Sequence, residues 1–301
     1  MLDAPEDHPV VPQGPLVTVH DPDDPRLAPY RDLSDPAGRT GSGGDQSVFV
    51  VEGRLAVDRL LTSKYTVCSL LVDDHQVTTA GGLVAATRDR GAPVYMGSRA
   101  LVAGTVGFAL HRGVVAVAER PLPADTGRLL ADAAGTSAPG GGPALIAVLE
   151  GLNDHENIGA LFRNAAAFGV AGVLLDPTCA DPLYRRSVRV SVGHVLHMPF
   201  ARLDPWPAGL DRVRAAGFVV AALAPRPSVD SEVPAVSLAQ LKAGSDHAGG
   251  VALLLGAEGP GLTDAALARS DVVVPIPIVD TVDSLNVATA AAVAFHALAD
   301  L

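Results

Sequence analysis

Five apolar runs in the second half of the chain constrain its fold more than any other feature. Leu145–Leu149, Gly172–Leu175, Phe218–Ala222, Val251–Leu255 and Val272–Ile276 are continuous in small and branched apolar residues. A strand with one face in water alternates apolar with polar, so a continuous run needs both faces covered. Stretches with helical spacing, near Ile158–Phe168, Pro207–Ala216 and Leu285–Leu298, separate these runs. The alternation predicts an α/β domain with a parallel sheet covered by helices on both sides. Ligands of such sheets bind at the loops beyond the carboxyl ends of the strands. The loops to inspect are therefore those after Leu149, Leu255 and Ile276.

The first half reads as a smaller α/β domain. Val48–Val51, Val67–Val72 and Val114–Ala118 have strand character, and Glu52–Leu61 reads as a helix with Leu55, Leu60 and Leu61 as its apolar residues. A length of 301 residues suits two domains. The segment Ala134–Pro143 (AGTSAPGGGP) breaks the apolar periodicity and is expected to join them. The expected layout is a disordered N-terminus over 1–14, a first domain over 15–133, a linker over 134–143 and a second domain over 144–301. Asp35–Gln46 is also expected to be poorly ordered.

Composition limits the function. The chain carries 22 Lys and Arg against 33 Asp and Glu, a formal net charge of −11. Phosphate contacts dominate nucleic-acid affinity, so this balance counts against RNA binding by the chain as a whole. A local basic groove can still exist inside an acidic envelope. The densest basic cluster is Arg185, Arg186 and Arg189 beside Tyr184, which reads either as an RNA contact or as a solvated charged loop. The two cysteines and nine histidines have no ligand spacing, so no metal site is expected. No apolar run approaches the roughly 20 residues that span a bilayer, and the acidic, proline-rich start has no signal-like segment. A cytoplasmic protein is expected.

Three loops carry chemistry-bearing residues. The first, Leu152 to Gly169, offers Asn157 as an N-cap and Gly169 beyond the helix end. It also sets Arg163 among small apolar neighbours, where a plain exposed arginine is the alternative reading. The second, Leu253-Leu-Leu-Gly-Ala-Glu-Gly-Pro-Gly-Leu262, has glycines at 256, 259 and 261 that let a backbone approach a ligand, and one acid, Glu258. No Gly-Lys-Ser/Thr follows, and the GxGxxG of dinucleotide folds is absent, so neither phosphate loop applies. The third runs from Val274 through Ile276-Pro277 to Ser284-Leu285-Asn286-Val287, where Ser284 or Asp283 is expected to cap a helix with Asn286 in its first turn.

Taken in order within one domain, the three resemble the motifs of the SpoU–TrmH family of SPOUT methyltransferases. Asn157, Arg163 and Phe168-Gly169 match the first motif, Gly256 to Leu262 the second, and Ile276-Pro277 with Ser284 to Val287 the third. Arg189-Val-Ser-Val-Gly-His resembles a connecting segment of the family, and Ile278 stands where a Met is common. The resemblance covers Leu145 to Leu298. Phe49-Val-Val-Glu-Gly53 and His111 to Ala116 resemble, more loosely, the ribosomal-protein-like substrate-binding domain that often precedes this catalytic domain.

The resemblance implies a C-terminal trefoil knot, a homodimer with its active site near the interface, and S-adenosylmethionine as cofactor. It also implies methylation of a ribose 2′-hydroxyl in RNA, ribosomal more than transfer RNA. Backbone groups of Gly256, Ile276 and Leu285 would hold the cofactor, and Asn157, Arg163, Glu258, Ser284 and Asn286 would form the catalytic set. An arginine, with its pKa above about 12, suits a phosphate clamp better than a general base. The rival readings are a SpoU-fold RNA-binding protein that has lost catalysis and a small-molecule α/β enzyme, which the acidic pI mildly favours. The C-terminal helix, apolar nearly all round through Val287, Ala291, Val293, Ala294, Phe295 and Leu298, is expected to need a partner chain as cover.

Overall fold

A computed structural model of the chain describes residues 13–31, 33, 47–108, 110, 113–136, 143–225, 233–244, 249–279 and 281–299. Residues 1–12 of the stretch 1–14 expected to be disordered, all of 35–46, residues 137–142 of the expected linker, and residues 111 and 112 lie outside the described residues. Gly14, by contrast, is held in place by its N–H, which donates to the Arg88 carbonyl at 2.7 Å. The chain forms two compact units that divide between Arg120 and Pro121.

The first unit runs β1 (Leu16–Thr18), β2 (Val48–Glu52), α1 (Arg54–Thr62), β3 (Val67–Asp73), α2 (Gly81–Asp89), β4 (Val94–Gly97), α3 (Arg99–Val106) and β5 (Val114–Glu119). Its five-stranded sheet has the order β1-β4-β3-β5-β2. β1, β4 and β3 are parallel, and β5 runs antiparallel to both β3 and β2. Two expectations need correction. Glu52 closes β2 instead of opening a helix, because Gly53 turns the chain at φ 93° before α1 begins. Leu55 is 54% exposed, and Ala56, Val57, Leu60 and Leu61 form the buried stripe. The helix α2 escapes sequence reading because it opens on two glycines, the poorest helix formers after proline.

The second unit opens with α4 (Thr126–Ala134) and continues β6 (Leu145–Glu150), α5 (His155–Ala167), β7 (Gly172–Leu175), α6 (Arg185–Val190), β8 (Phe200–Arg202) and α7 (Leu210–Ala215). It ends with β9 (Phe218–Leu223), α8 (Leu238–Ala243), β10 (Gly250–Gly256), α9 (Asp264–Leu267), β11 (Val272–Val274) and α10 (Val287–Leu298). The sheet order is β11-β9-β10-β6-β7-β8, and every pair is parallel. All five apolar runs are strands of this sheet, with the short β8 added at one edge. Ile146, Val148, Leu174, Val220, Ala252 and Leu254 fill one core cluster and are almost wholly buried. Among the described residues no helix is long and apolar enough to cross a membrane.

The division between the units corrects the expected linker. Leu129, Leu130 and Ala133 of α4 belong to the core of the second unit, together with Ile146, Leu174 and Ala201. Thr126 Oγ1 also donates to the Arg202 carbonyl at 2.8 Å. The boundary therefore precedes α4, and the glycine-rich segment after it is a connection inside the second unit. Gly and Ser content marks a loop; it does not say which body the preceding helix packs on.

β10, near the middle of the sheet, starts at Gly250 with φ 106°, and a Cβ there would come 2.1 Å from the Ala144 carbonyl oxygen. Gly250→Ala is expected to cost about 3 kcal/mol, from left-handed strain plus a backbone clash. Chemical denaturation that shows an unchanged midpoint would contradict this account of the strand start.

Candidate active site

The three loops reach the carboxyl ends of β6, β10 and β11. At the first, Asp154 caps α5 by accepting from the Glu156 backbone N–H at 2.7 Å. Asn157, expected as the cap, lies instead in the first turn, which leaves its side-chain amide available to another segment. Gly169, at φ 69°, follows the helix end as expected.

The second loop leaves β10 at Gly256 and folds back on itself. Gly261 N donates to the Ala257 carbonyl at 3.0 Å, and Gly259 and Gly261 hold φ of 85° and 71°. A Cβ on Gly256 would lie 2.4 Å from the Gly261 carbonyl carbon, so this position admits only glycine without rearrangement. A Cβ on Gly259 or Gly261 would meet open space. The loop thus presents bare backbone outward.

In the third loop Asn286 is itself the N-cap of α10, in place of Asp283 or Ser284. Its Oδ1 accepts from Ala288 N at 3.0 Å and Thr289 N at 3.2 Å. Ser284 is exposed, while Ile276 and Leu285 are half-buried along the loop.

The same Asn286 joins the three motifs. Its Nδ2 donates to Asn157 Oδ1 at 2.8 Å and to Glu258 Oε1. That Glu258 oxygen also accepts from Val287 N at 3.4 Å, which sets a carboxylate at the positive end of a twelve-residue helix. Asn164, two turns along α5 from Asn157, donates to the Ala288 carbonyl at 2.8 Å and seats α10 on α5. One amide therefore fixes residues drawn from three distant parts of the chain.

Arg163 does not join that cluster. It is exposed, and it follows Asn157 by roughly 9 Å along the helix and about 120° around it. Among the described residues it makes no hydrogen bond or ion pair. Arg185, Arg186 and Arg189 stand on the short helix α6, and not on the charged loop of the alternative reading. Gly159 permits the close crossing of α5 by α6, since a Cβ there would lie 2.7 Å from the Ser187 carbonyl oxygen. Arg186 is tied to Glu156 at 2.6 Å, an exposed pair of small energetic value. Arg189 is exposed and Arg185 half-buried. Beside them His155 and Tyr184 lie ring to ring at 4.1 Å. Burial holds the His155 imidazole below its usual range, against the opposing pull of Asp181 and Asp154.

Sequence reading missed two acids that close apolar strands. Glu150 ends β6 and is buried. Asp176 follows β7 and accepts from Gly151 N, Thr178 N and Cys179 N at 3.0, 2.8 and 2.7 Å. A lone carboxylate at the end of a continuous apolar run was the available signal. The neighbouring Cys179 thiol is pushed up to about 12, chiefly by burial and next by Asp176, so it is inert. Among the described residues no group of three or more His, Cys, Asp or Glu could hold a metal ion.

Residues 144–296 match the model of the SpoU rRNA Methylase family. The chain belongs to this family. An uncharacterized tRNA/rRNA methyltransferase of Mycobacterium tuberculosis H37Rv is 43% identical over 278 residues, which cover 92% of this chain and 90% of that protein. A similar protein of Archaeoglobus fulgidus is 33% identical over 158 residues, covering 52% of this chain and 65% of its own length. Among solved structures, an rRNA methyltransferase from Sinorhizobium meliloti superposes with TM-score 0.70 at 25% identity, covering 95% of this chain and 98% of that one. The SpoU methyltransferase AviRb from Streptomyces viridochromogenes, in complex with AdoMet, gives TM-score 0.70 at 23% identity over 91% and 97% of the two chains. The matched residues include all three of the loops that Asn286 joins.

Asn286→Asp separates the two tasks of that residue. The helix cap survives, because the acceptor oxygen remains, but the amide donor becomes an oxygen facing Glu258 and Asn157. A loss of about 2 kcal/mol is expected, partly recovered by adding Glu258→Gln, which restores a donor. A double-mutant cycle with no coupling between positions 286 and 258 would refute the bridge.

Proposed function

We propose that the chain is an S-adenosylmethionine-dependent RNA methyltransferase that methylates a ribose 2′-hydroxyl, in ribosomal rather than transfer RNA. The observation that carries this reading is the Asn286 amide joining Asn157 and Glu258 beside an exposed glycine backbone. Membership of the family supports it, as do relatives named tRNA/rRNA methyltransferases that span nearly the whole chain. AviRb holds AdoMet in its structure, and an RNA 2′-O ribose methyltransferase shares the fold at TM-score 0.67. The intact set of motif residues disfavours the inactive RNA-binding alternative.

The residues fit the cofactor. Gly256 is too crowded for any side chain, while Gly259 and Gly261 open onto free space. Backbone groups of Gly256, Ile276 and Leu285 would hold its adenine and ribose. When bound, S-adenosylmethionine supplies a methyl group on a sulfonium, ready for transfer to an oxygen. Glu258 is already engaged by Asn286 and Val287, so its part is to fix the start of α10. Asn157, held by the Asn286 amide, and the exposed Ser284 would orient the reacting groups. Arg163 is exposed with guanidinium donors that make no hydrogen bond among the described residues, which suits a grip on an RNA phosphate and support for the developing alkoxide.

Recognition of RNA would fall to the first unit, read as a ribosomal-protein-like domain, and to Arg185, Arg186 and Arg189. Homodimerisation is part of the same reading. Val293 on α10 is 42% exposed, and Ile278, Val279 and Val282 are exposed on the loop before it, an apolar surface suited to a second copy. The trefoil knot of the C-terminal segment also belongs to this reading.

Transfer of labelled methyl to total RNA, followed by mapping of 2′-O-methyl positions, tests the reaction. Arg163→Ala is expected to reduce transfer about a hundredfold or more while cofactor affinity changes little. Near-normal turnover would remove Arg163 from the mechanism. A chain beginning at Pro121, which retains α4, is expected to dimerise by light scattering and to bind cofactor. It should methylate RNA poorly, and its RNA affinity should fall less steeply with salt than that of the full protein. Full efficiency in the shortened chain would show that the first unit does not select substrate.

A further inference from the structure

Glu150, at the carboxyl end of β6, is 5% exposed. Among the described residues no cation pairs with it, an arrangement that is costly unless donors replace the lost water. Three do. Oε2 accepts from Thr263 N at 2.9 Å, and Oε1 accepts from Thr263 Oγ1 at 2.7 Å and from Trp206 Nε1 at 2.6 Å. Thr263 follows directly on the glycine loop 256–262, and its hydroxyl oxygen accepts from Ala266 N at 3.3 Å to cap α9. The register of β6 against β10 sets Glu150 beside Gly256, the first residue of the same loop. One residue of β6 is therefore tied to both ends of the loop, through the strand ladder at its entry and through its carboxylate at the exit.

We infer that Glu150 is a positioning residue that clamps the 256–262 loop in its cofactor-binding shape, with Trp206 locking the carboxylate from the side. A loop that offers bare glycine backbone has little stiffness of its own, so its presentation depends on where its ends are held. The inference rests on the reading that this loop holds S-adenosylmethionine. It adds a residue outside the three motifs, and it makes Trp206, the chain's only tryptophan, a reporter of the loop.

Glu150→Gln breaks the clamp whichever way the amide turns. With its oxygen at the Oε1 position, the NH2 group faces the Thr263 N–H; reversed, it faces the Trp206 indole N–H. In each case two donors oppose each other and a buried bond is lost.

The full-length protein is to be titrated with S-adenosylmethionine by calorimetry and, in parallel, by Trp206 emission. Wild type should show an emission change that follows the heat. Glu150→Gln should bind about tenfold more weakly. Its KM for cofactor should rise by the same factor, while kcat at saturating cofactor stays within about twofold. Thr263→Val, which removes the hydroxyl donor, should follow it, and Thr263→Ser, which keeps that donor, should recover wild-type affinity. Wild-type affinity in a folded Glu150→Gln protein overturns the positioning role. If that variant does not fold, equal affinity in the Val and Ser variants of Thr263 overturns it instead. Gly256→Ala tests the underlying assignment separately, since unchanged affinity there shows that the loop does not hold the cofactor.

Discussion

Six parallel residue pairs join β6 to β10, from Leu145 beside Val251 to Glu150 beside Gly256. Every later feature of the site depends on this pairing. Side chains alternate faces along a strand, so a slip of one residue would exchange the side chains that the slipped strand packs on the two covered faces of the sheet. The tight start of β10 opposes such a slip, because Gly250 and the Ala144 carbonyl are in near contact. With the register set, the loops after the two strands leave the sheet side by side. The Asn157 loop and the glycine loop then have no choice but to meet.

The start of α10 completes the arrangement from a third direction. Helix ends carry unsatisfied N–H groups and a partial positive charge, and both must be met. Asn286 answers part of this need with its own oxygen, and Glu258 answers more from the neighbouring loop. The amide hydrogens of Asn286 then reach Asn157 and that same Glu258 carboxylate. Elementary helix-capping thus assembles a polar cluster, and it leaves other polar residues of these segments exposed. Ser284 and Arg163 are two of these, one on the loop and one on an outward face of α5.

An acidic chain that handles RNA must concentrate its cations. The net charge of −11 disfavours approach of a polyanion at long range. Salt screens that repulsion beyond about 10 Å. α6 crosses α5 closely over Gly159, which brings Arg186 to Glu156 near the N-terminal end of α5. The Arg186–Glu156 pair is exposed, so under the proposed function its exchange for a phosphate contact would cost little.

The apolar runs alone determined the class of fold, since continuous Val, Leu and Ala strands can exist only where helices cover both faces. The resemblance of the three loops to the family's motifs singled out Asn157, Glu258 and Asn286, because a motif is a local run of residues that can be read without the fold. Tertiary structure decided the rest. Asn286 turned out to be the cap and Asn157 not, because a cap depends on where the backbone leaves the helix, and neighbouring Asp, Ser and Asn residues compete for that place. α4 joined the second unit through Leu129, Leu130 and Ala133, which a glycine-rich stretch after it could not reveal. Glu150 gained its importance only from Trp206 and Thr263, which lie 56 and 113 residues away. Hydrogen bonds across such separations leave no periodicity in a sequence, and they exist only once the sheet has brought its strand ends together.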